Sequence, residues 1–255
     1  MAISLDLAGR VVLVTGGQRG VGLGITTQFV AAGATVVTCG RSDVEIPVAG
    51  THHRICDVRS TSEVSALIDG VVAEFGRLDV LVNNAGGAPY AMAADASVNF
   101  HDKIMQLNLN SPLMLMQAAN AVMQHQAEGG AIVNISSVSA TRPSPGTAAY
   151  GAAKAGIDSL TTSLAVEWGP KVRVNSITVG LVATEQSDLH YGGESGIAAI
   201  SATIPAGRLA MPSEVGNVAL FLASDLASYV SGAHVECHGG GEPPVFLHVV
   251  QKELS

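Results

Sequence analysis

Tyr150 and Lys154 stand four residues apart in Tyr150-Gly151-Ala152-Ala153-Lys154, at the start of a segment that reads as a helix, so both side chains leave from one face. A free phenol titrates near ~10 and is a poor base at neutral pH. An ammonium beside it favours the phenolate, which makes the pair a proton donor and acceptor for a carbonyl/alcohol couple. Ser137 lies thirteen residues before Tyr150, at the end of a strand-like run. Its hydroxyl would hold a substrate oxygen and stabilise charge developing there. Ser136 is the local rival, because neighbouring strand residues face opposite ways. A second constellation is Thr15-Gly16-Gly17-Gln18-Arg19-Gly20-Val21-Gly22, between the first strand and the first helix. Glycines there permit a tight turn and bring backbone N–H groups close to a pyrophosphate at the helix N-terminus. The spacing is G-x-x-x-G-x-G rather than G-x-G-x-x-G.

These residues need elements to carry them. Val11 to Val14 is a continuous apolar run, as a strand covered on both faces should be. A helix is predicted over 22–32 with Gly33 as its stop. Strands follow over 34–39 and 53–56, and Ser60-Thr61-Ser62-Glu63 has capping-box spacing for a helix running to about Phe75. Further strands are predicted over 78–82, 131–135, 172–177 and 233–237. A long helix is expected over roughly 100–126 with Pro112 bending it, another from near Thr147 to Gly169-Pro170, and a third from Pro212 to Ala223. Alternation of this kind implies right-handed crossovers and an α/β, doubly wound parallel sheet of seven strands. The reading is a single domain over 1–255. The stretch from Val182 to Arg208 shows no clean period, and the tail EPPVFLHVVQKELS over 242–255 is apolar enough to need cover from the body or a neighbouring subunit.

Composition bounds the function. The chain has 255 residues, 47% of them hydrophobic and 13% charged, which fills a core and argues against disorder. A net charge of −8 gives no general attraction to nucleic acid or an anionic membrane. Mean hydropathy is +0.36, yet the apolar runs fall far short of the ~20 residues that span a bilayer. No leader is read in MAISLDLAGR, and Cys39, Cys56 and Cys237 are odd in number and widely spaced, so a disulfide framework is excluded and a cytoplasmic setting is expected. No metal is expected: His52 and His53 are adjacent and would point opposite ways on a strand, with no His-x-x-x-His beside them. Met92, Met105, Met114, Met116 and Met123, and Trp168, read as packing.

In order along the chain, Thr15-Gly16-x-x-x-Gly20-x-Gly22, Asp57-Val58, Asn83-Asn84-Ala85-Gly86, Asn108, Ser137, Tyr150-x-x-x-Lys154 and Gly180-x-x-x-Thr184 resemble the motif set of the short-chain dehydrogenase/reductase family, over residues 7 to 241. The resemblance implies a Rossmann sheet of order 3-2-1-4-5-6-7, a nicotinamide dinucleotide, a small-molecule substrate, and a homotetramer or homodimer built on the two long helices. It implies catalytic roles for Asn108, Ser137, Tyr150 and Lys154. Lys154 would also bind the nicotinamide ribose, and the Asn108 backbone carbonyl would hold a water linking Lys154 to bulk, with Asn110 the lesser candidate. Cofactor contacts are implied for Gly16, Gln18, Arg19, Gly20, Val21, Gly22, Arg41, Asp57, Val58, Asn84, Ala85 and Gly86. Tyr150, Lys154, Gly180, Val182 and Thr184 complete that set. Asp57 would take the adenine amine and Thr184 a phosphate or the carboxamide. The three residues between Tyr150 and Lys154 differ from the six of the family's enoyl reductase branch.

The family places an acid that selects NAD at the end of the second strand. Here that position is Gly40, followed by Arg41, with Arg19 in the glycine loop, so NADP(H) is preferred and NAD(H) is the alternative. Asp43 pulls the other way. Val179 replaces the family's usual Pro before Gly180, which bears on loop rigidity, and His238-Gly239-Gly240 stands where Asp-Gly-Gly is common. Residues about 185–210, with His190, Tyr191 and Glu194, match the family's substrate lid. The expected reaction is reversible hydride transfer between a secondary alcohol and a ketone, on an apolar substrate such as a 3-oxoacyl thioester or a steroid-like ring. The alternative is a dinucleotide-binding sensor without catalysis.

Overall fold

The computed structural model describes residues 5–43, 47–187 and 191–244. Its centre is one parallel sheet of seven strands: β1 (Val11–Thr15), β2 (Thr35–Gly40), β3 (Thr51–Ile55), β4 (Val80–Asn83), β5 (Gly130–Ser137), β6 (Val172–Val179) and β7 (His234–Cys237). Their order is β3-β2-β1-β4-β5-β6-β7, as the resemblance implied. The chain leaves β3 and re-enters on the far side of β1 as β4, so a crevice opens at the carboxyl ends of β1 and β4.

Period-two alternation splits each central strand between two cores. Val11 and Leu13 face one core with Val37, Leu81 and Ile132, under helices α2 (Thr61–Phe75), α4 (Ser111–Met123) and α5 (Ala148–Trp168). Val12 and Val14 face the other with Val36, Val82 and Ile177, under α1 (Gly20–Ala31) and α7 (Pro212–Ala223). Met116 and Met123 are fully buried, so these two methionines pack as expected. Gly33 follows α1 at φ +81, the left-handed conformation expected of a helix stop. Asp79 anchors the start of β4: its carboxylate accepts from Val11 N at 2.8 Å, from Arg77 at 2.7 and 2.6 Å, and from Arg10 at 3.3 Å.

The long helix expected over 100–126 is two helices. Helix α3 (Val98–Met105) runs into a π turn, Gln106–Asn110, before α4 begins. The change of period precedes Pro112, which sits in the first turn of α4. There the missing N–H does no harm to α4, but it removes the amide that would close on the Asn108 carbonyl. The irregular stretch before Arg208 also contains a helix, α6 (Gly193–Ser201). His190 and the tail beyond residue 244 lie outside the described residues.

Candidate active site

A cleft of about 730 Å³ opens along the carboxyl ends of β1, β2, β4, β5 and β6. Of the catalytic and cofactor-contact residues that the resemblance implied, Asn108 alone does not line it. At its centre Gly16 (φ +64) and Gly20 (φ +51) take left-handed backbone that other residues resist. A Cβ on Gly22 would stand 2.1 Å from the Gly16 carbonyl oxygen. Thr15 Oγ1 accepts from Asn84 N at 3.0 Å and Ala85 N at 2.9 Å, while Asn84 Nδ2 donates to Thr15 O at 2.9 Å and Gly16 O at 3.2 Å. Segment 84–86 is thereby sewn to the glycine loop. Thr184 faces Gly20 across the cleft, its Cγ2 3.6 Å from where a Gly20 Cβ would be.

Loop 180–184 is held without the family's proline. Gly180 N donates to Cys237 O at 3.1 Å, Ala183 N to Ala210 O at 2.8 Å, and Ala210 N to Leu181 O at 2.9 Å. Gly180 is required by contact as well, since a Cβ there would meet the His238 Cβ at 2.7 Å.

At the β2–β3 end, Asp57 is not free. Arg59 grips its carboxylate with two nitrogens, Nε at 2.9 Å and Nη2 at 2.6 Å, and this guanidinium holds the carboxyl below its usual range. Glu63 accepts from Asp57 N at 2.8 Å, so the expected capping box closes three residues upstream of Ser60. Arg41 adds positive charge beside Asp57. Gln18 turns its amide to Thr38 Oγ1 and to His53 Nδ1 (3.2 Å), leaving its Oε1 buried without a partner among the described residues. His52 and His53 do point apart: His52 packs edge-on against Phe75 with ring centroids 4.9 Å apart, and His53 lines the cleft. Cys39 and Cys56, far apart in sequence, are neighbours joined by a thiol hydrogen bond that raises the Cys39 thiol and lowers Cys56.

At the β5 end, Ser137, Tyr150 and Lys154 meet. Ser137 Oγ accepts from Ser139 N at 3.1 Å and shares a hydrogen bond with the Tyr150 hydroxyl. Ser136 is almost fully buried. Lys154 is 4% exposed, donates to the Ile135 carbonyl at 2.7 Å, and lies 5.5 Å from the Tyr150 ring centroid. Burial pulls its ammonium down to about 8, while Asp158 one turn along partly supports it. The expected depression of Tyr150 is absent: burial pushes the phenol up, and the Ser137 hydrogen bond only partly opposes this. The ammonium here is itself desolvated and engaged by a carbonyl, so burial of the ring dominates.

Asn108 is fully buried. Its Oδ1 accepts from Gly87 N at 2.8 Å, and its Nδ2 donates to Gly87 O at 3.0 Å and Ile104 O at 2.9 Å. Its side chain therefore clamps the loop after β4 to the π turn. A Cβ on Gly86 would lie 2.7 Å from that Oδ1 and 3.5 Å from Lys154 Nζ, so Gly86 lets Asn108 and Lys154 approach. Asn110 turns away to Gln106 on the exposed side.

Sequence reasoning missed Arg59, Thr38 and His53. Arg59 had a signal, two residues after Asp57 in a loop; Thr38 and His53 meet only through β2–β3 pairing, where they are register partners. Tyr191, from the segment expected to be the substrate lid, lines the cleft with its phenol raised by burial. Among the described residues no cluster of three or more His, Cys, Asp or Glu is placed to hold a metal ion, and no helix is long and apolar enough to cross a membrane.

The residues present fit a dinucleotide. Helix α1 starts with no side-chain cap and no acid in its first turn, so its N–H groups remain for a phosphate. The glycine cradle that a Cβ at Gly22 would fill stands over those groups.

Comparison with known proteins agrees. A family model described as enoyl-(acyl carrier protein) reductase matches residues 16–242. The chain is 38% identical to a D-threitol dehydrogenase of Mycolicibacterium smegmatis, over 92% of this chain and 93% of the other. It is 34% identical to a 3α-hydroxysteroid dehydrogenase of Mediterraneibacter gnavus, over 91% and 97%. The ligand-free aldohexose dehydrogenase of Thermoplasma acidophilum superposes with a TM-score of 0.87 at 31% identity, covering 94% of this chain and 96% of the other. Ordered motifs, strand order, the meeting of Ser137, Tyr150 and Lys154, and these matches lead to one conclusion: the chain belongs to the short-chain dehydrogenase/reductase family of nicotinamide-dependent oxidoreductases acting on CH–OH groups.

Proposed function

We propose that this protein interconverts a secondary alcohol and its ketone, with NADP(H) the preferred dinucleotide and NAD(H) the alternative. The observation that carries the reading is the meeting of Ser137, Tyr150 and Lys154 in the same cleft as the glycine loop. The bound dinucleotide supplies the hydride donor or acceptor and, when oxidised, a positive charge beside the phenol. Tyr150, a phenol protonated at neutral pH and held more firmly so by burial, gives its proton to the carbonyl oxygen in reduction and takes it back in oxidation. Ser137 holds that oxygen through its hydroxyl. Lys154 holds the ribose and favours the phenolate when Tyr150 gives up its proton. The Asn108 backbone carbonyl, deprived of an amide at Pro112, holds the water that connects Lys154 to solvent.

Arg19 and Arg41 line the cleft, and Gly40 puts no carboxylate there, which supports the NADP(H) preference. The apolar-substrate reading draws support from the 3α-hydroxysteroid relative and from Leu107, Val179 and Tyr191 in the lining. The D-threitol relative favours a second reading, a polyol. In this reading the described residues 185–187 and 191–210 belong to the lid of a single catalytic and cofactor-binding unit. A cytoplasmic homodimer or homotetramer completes the proposal; Val166 on α5 is 82% exposed and Tyr229 fully so, apolar surface that an interface would cover.

The test is turnover on a panel of steroid-like, 3-oxoacyl, cyclic and polyol substrates with both dinucleotides, for the parent protein and for Tyr150→Phe. The variant should bind the dinucleotide and lose turnover by at least about a hundredfold. Undiminished turnover in the variant refutes the assigned chemistry, polyol-only turnover refutes the apolar substrate, and dinucleotide binding with no turnover by the parent protein favours the sensor.

A further inference from the structure

We propose that His53 is a positioning residue for recognition of the ribose 2′-phosphate, because one imidazole braces both segments that carry the arginines of the cleft. The inference rests on the NADP(H) reading above.

His53 Nε2 lies 3.0 Å from the Ser42 carbonyl oxygen. A carbonyl only accepts, so Nε2 carries a proton there. Nδ1 of the neutral ring is then an acceptor, and it lies 3.1 Å from Thr38 Oγ1 and 3.2 Å from Gln18 Nε2, both donors. Ser42 directly follows Arg41, and Gln18 directly precedes Arg19. The ring thus ties the loop after β2 to the glycine loop, and Thr38 Oγ1, which also accepts from Gln18, closes the triangle.

Position 40 borders the ring directly. A Cβ at that position would stand 3.5 Å from His53 Cε1, so a longer acidic side chain would have to be fitted against the imidazole. The position that carries the NAD-selecting acid by resemblance is left bare, and the ring occupies its flank.

The energetic consequence falls on one cofactor more than the other. Two guanidiniums on long side chains bind a phosphate tightly only if their backbones are held, since otherwise ordering them offsets the contact. A dinucleotide without the 2′-phosphate makes no demand on Arg19 and Arg41 and relies on the glycine cradle. Loss of the brace should therefore weaken NADPH more than NADH.

The experiment measures dissociation constants for NADPH and NADH by fluorescence titration, with no turnover involved, on the parent protein, His53→Ala, His53→Gln and Thr38→Val, each checked by thermal melting. His53→Ala should raise the NADPH constant about tenfold and the NADH constant less than about threefold. His53→Gln keeps a donor for Ser42 and an acceptor for Thr38, and should restore most of the discrimination. Thr38→Val removes one partner of Nδ1 and should shift the ratio in the same direction by a smaller factor; if His53→Ala does not fold, this variant and His53→Gln carry the test. A parent protein that prefers NADPH with an unchanged ratio in the variants overturns the role of His53 and leaves the NADP(H) reading standing. A parent protein that prefers NADH overturns both.

Discussion

Replacing Lys154 by Met should make the protein more stable near neutral pH while abolishing its turnover. The magnitude follows from the burial of the ammonium. Lys154 is 4% exposed and its value falls from 10.5 to about 8. Between those values the unfolded chain binds more protons than the folded one, so stability rises with pH across that window and the penalty for the buried charge is complete below about 8. At pH 7 that penalty is on the order of 3 kcal/mol, and at pH 10 it has shrunk to roughly 1 kcal/mol. Methionine matches the length of the side chain and carries no charge, so it removes the penalty. It also abandons the 2.7 Å hydrogen bond to the Ile135 carbonyl, a loss of about 1 kcal/mol. The net gain is about 2 kcal/mol at pH 7 and about zero at pH 10. Urea denaturation of both proteins at pH 7, 8.5 and 10 measures the difference directly, and groups common to both cancel. A gain independent of pH would show that packing rather than charge is responsible. A loss of stability at pH 7 would refute the reasoning, because the buried ammonium would then be stabilising.

Two further outcomes follow from the geometry. Asp79→Ala removes a buried carboxylate that accepts from Val11 N and from two arginines that stay partly exposed, and should lower stability by about 3 kcal/mol in denaturant titration; a change below about 1 kcal/mol would mean that solvent screens the arginines. Gly22→Ala places a Cβ 2.1 Å from the Gly16 carbonyl oxygen and should force the glycine loop open. Its dinucleotide dissociation constant should rise at least about tenfold, and an unchanged constant would show that the cradle does not hold the phosphates.

The structure brings Ser137, Tyr150 and Lys154 together as the resemblance implied, and the reason is spacing. Tyr150 and Lys154 are held together by helix period, and Ser137 ends the strand next to that helix. The electrostatics of the same residues were not readable. An ammonium four residues from a phenol lowers its value in water, but desolvation of both groups reverses the balance for Tyr150, and desolvation depends on packing from β5 and the π turn. The break at Gln106–Asn110 was likewise misassigned to Pro112, because a single extra residue in a helix leaves the apolar pattern on either side almost unchanged.

At the β2–β3 end the limits are clearer. The bare position at Gly40 and the nearby Arg19 and Arg41 stand in plain view in the chain. That Arg59 occupies Asp57 is a turn of the loop two residues on, whereas the reach of His53 to Gln18, Thr38 and Ser42 depends on strand register and on contacts across eleven to thirty-five residues. What the sequence by itself determined is the succession of the seven strands and the presence of the family's motifs, since both are written in local period and short spacing. Only the tertiary structure decided which of those side chains are free, which are paired and which are desolvated, because hydrogen bonds and burial are settled by whatever distant segment packs against them.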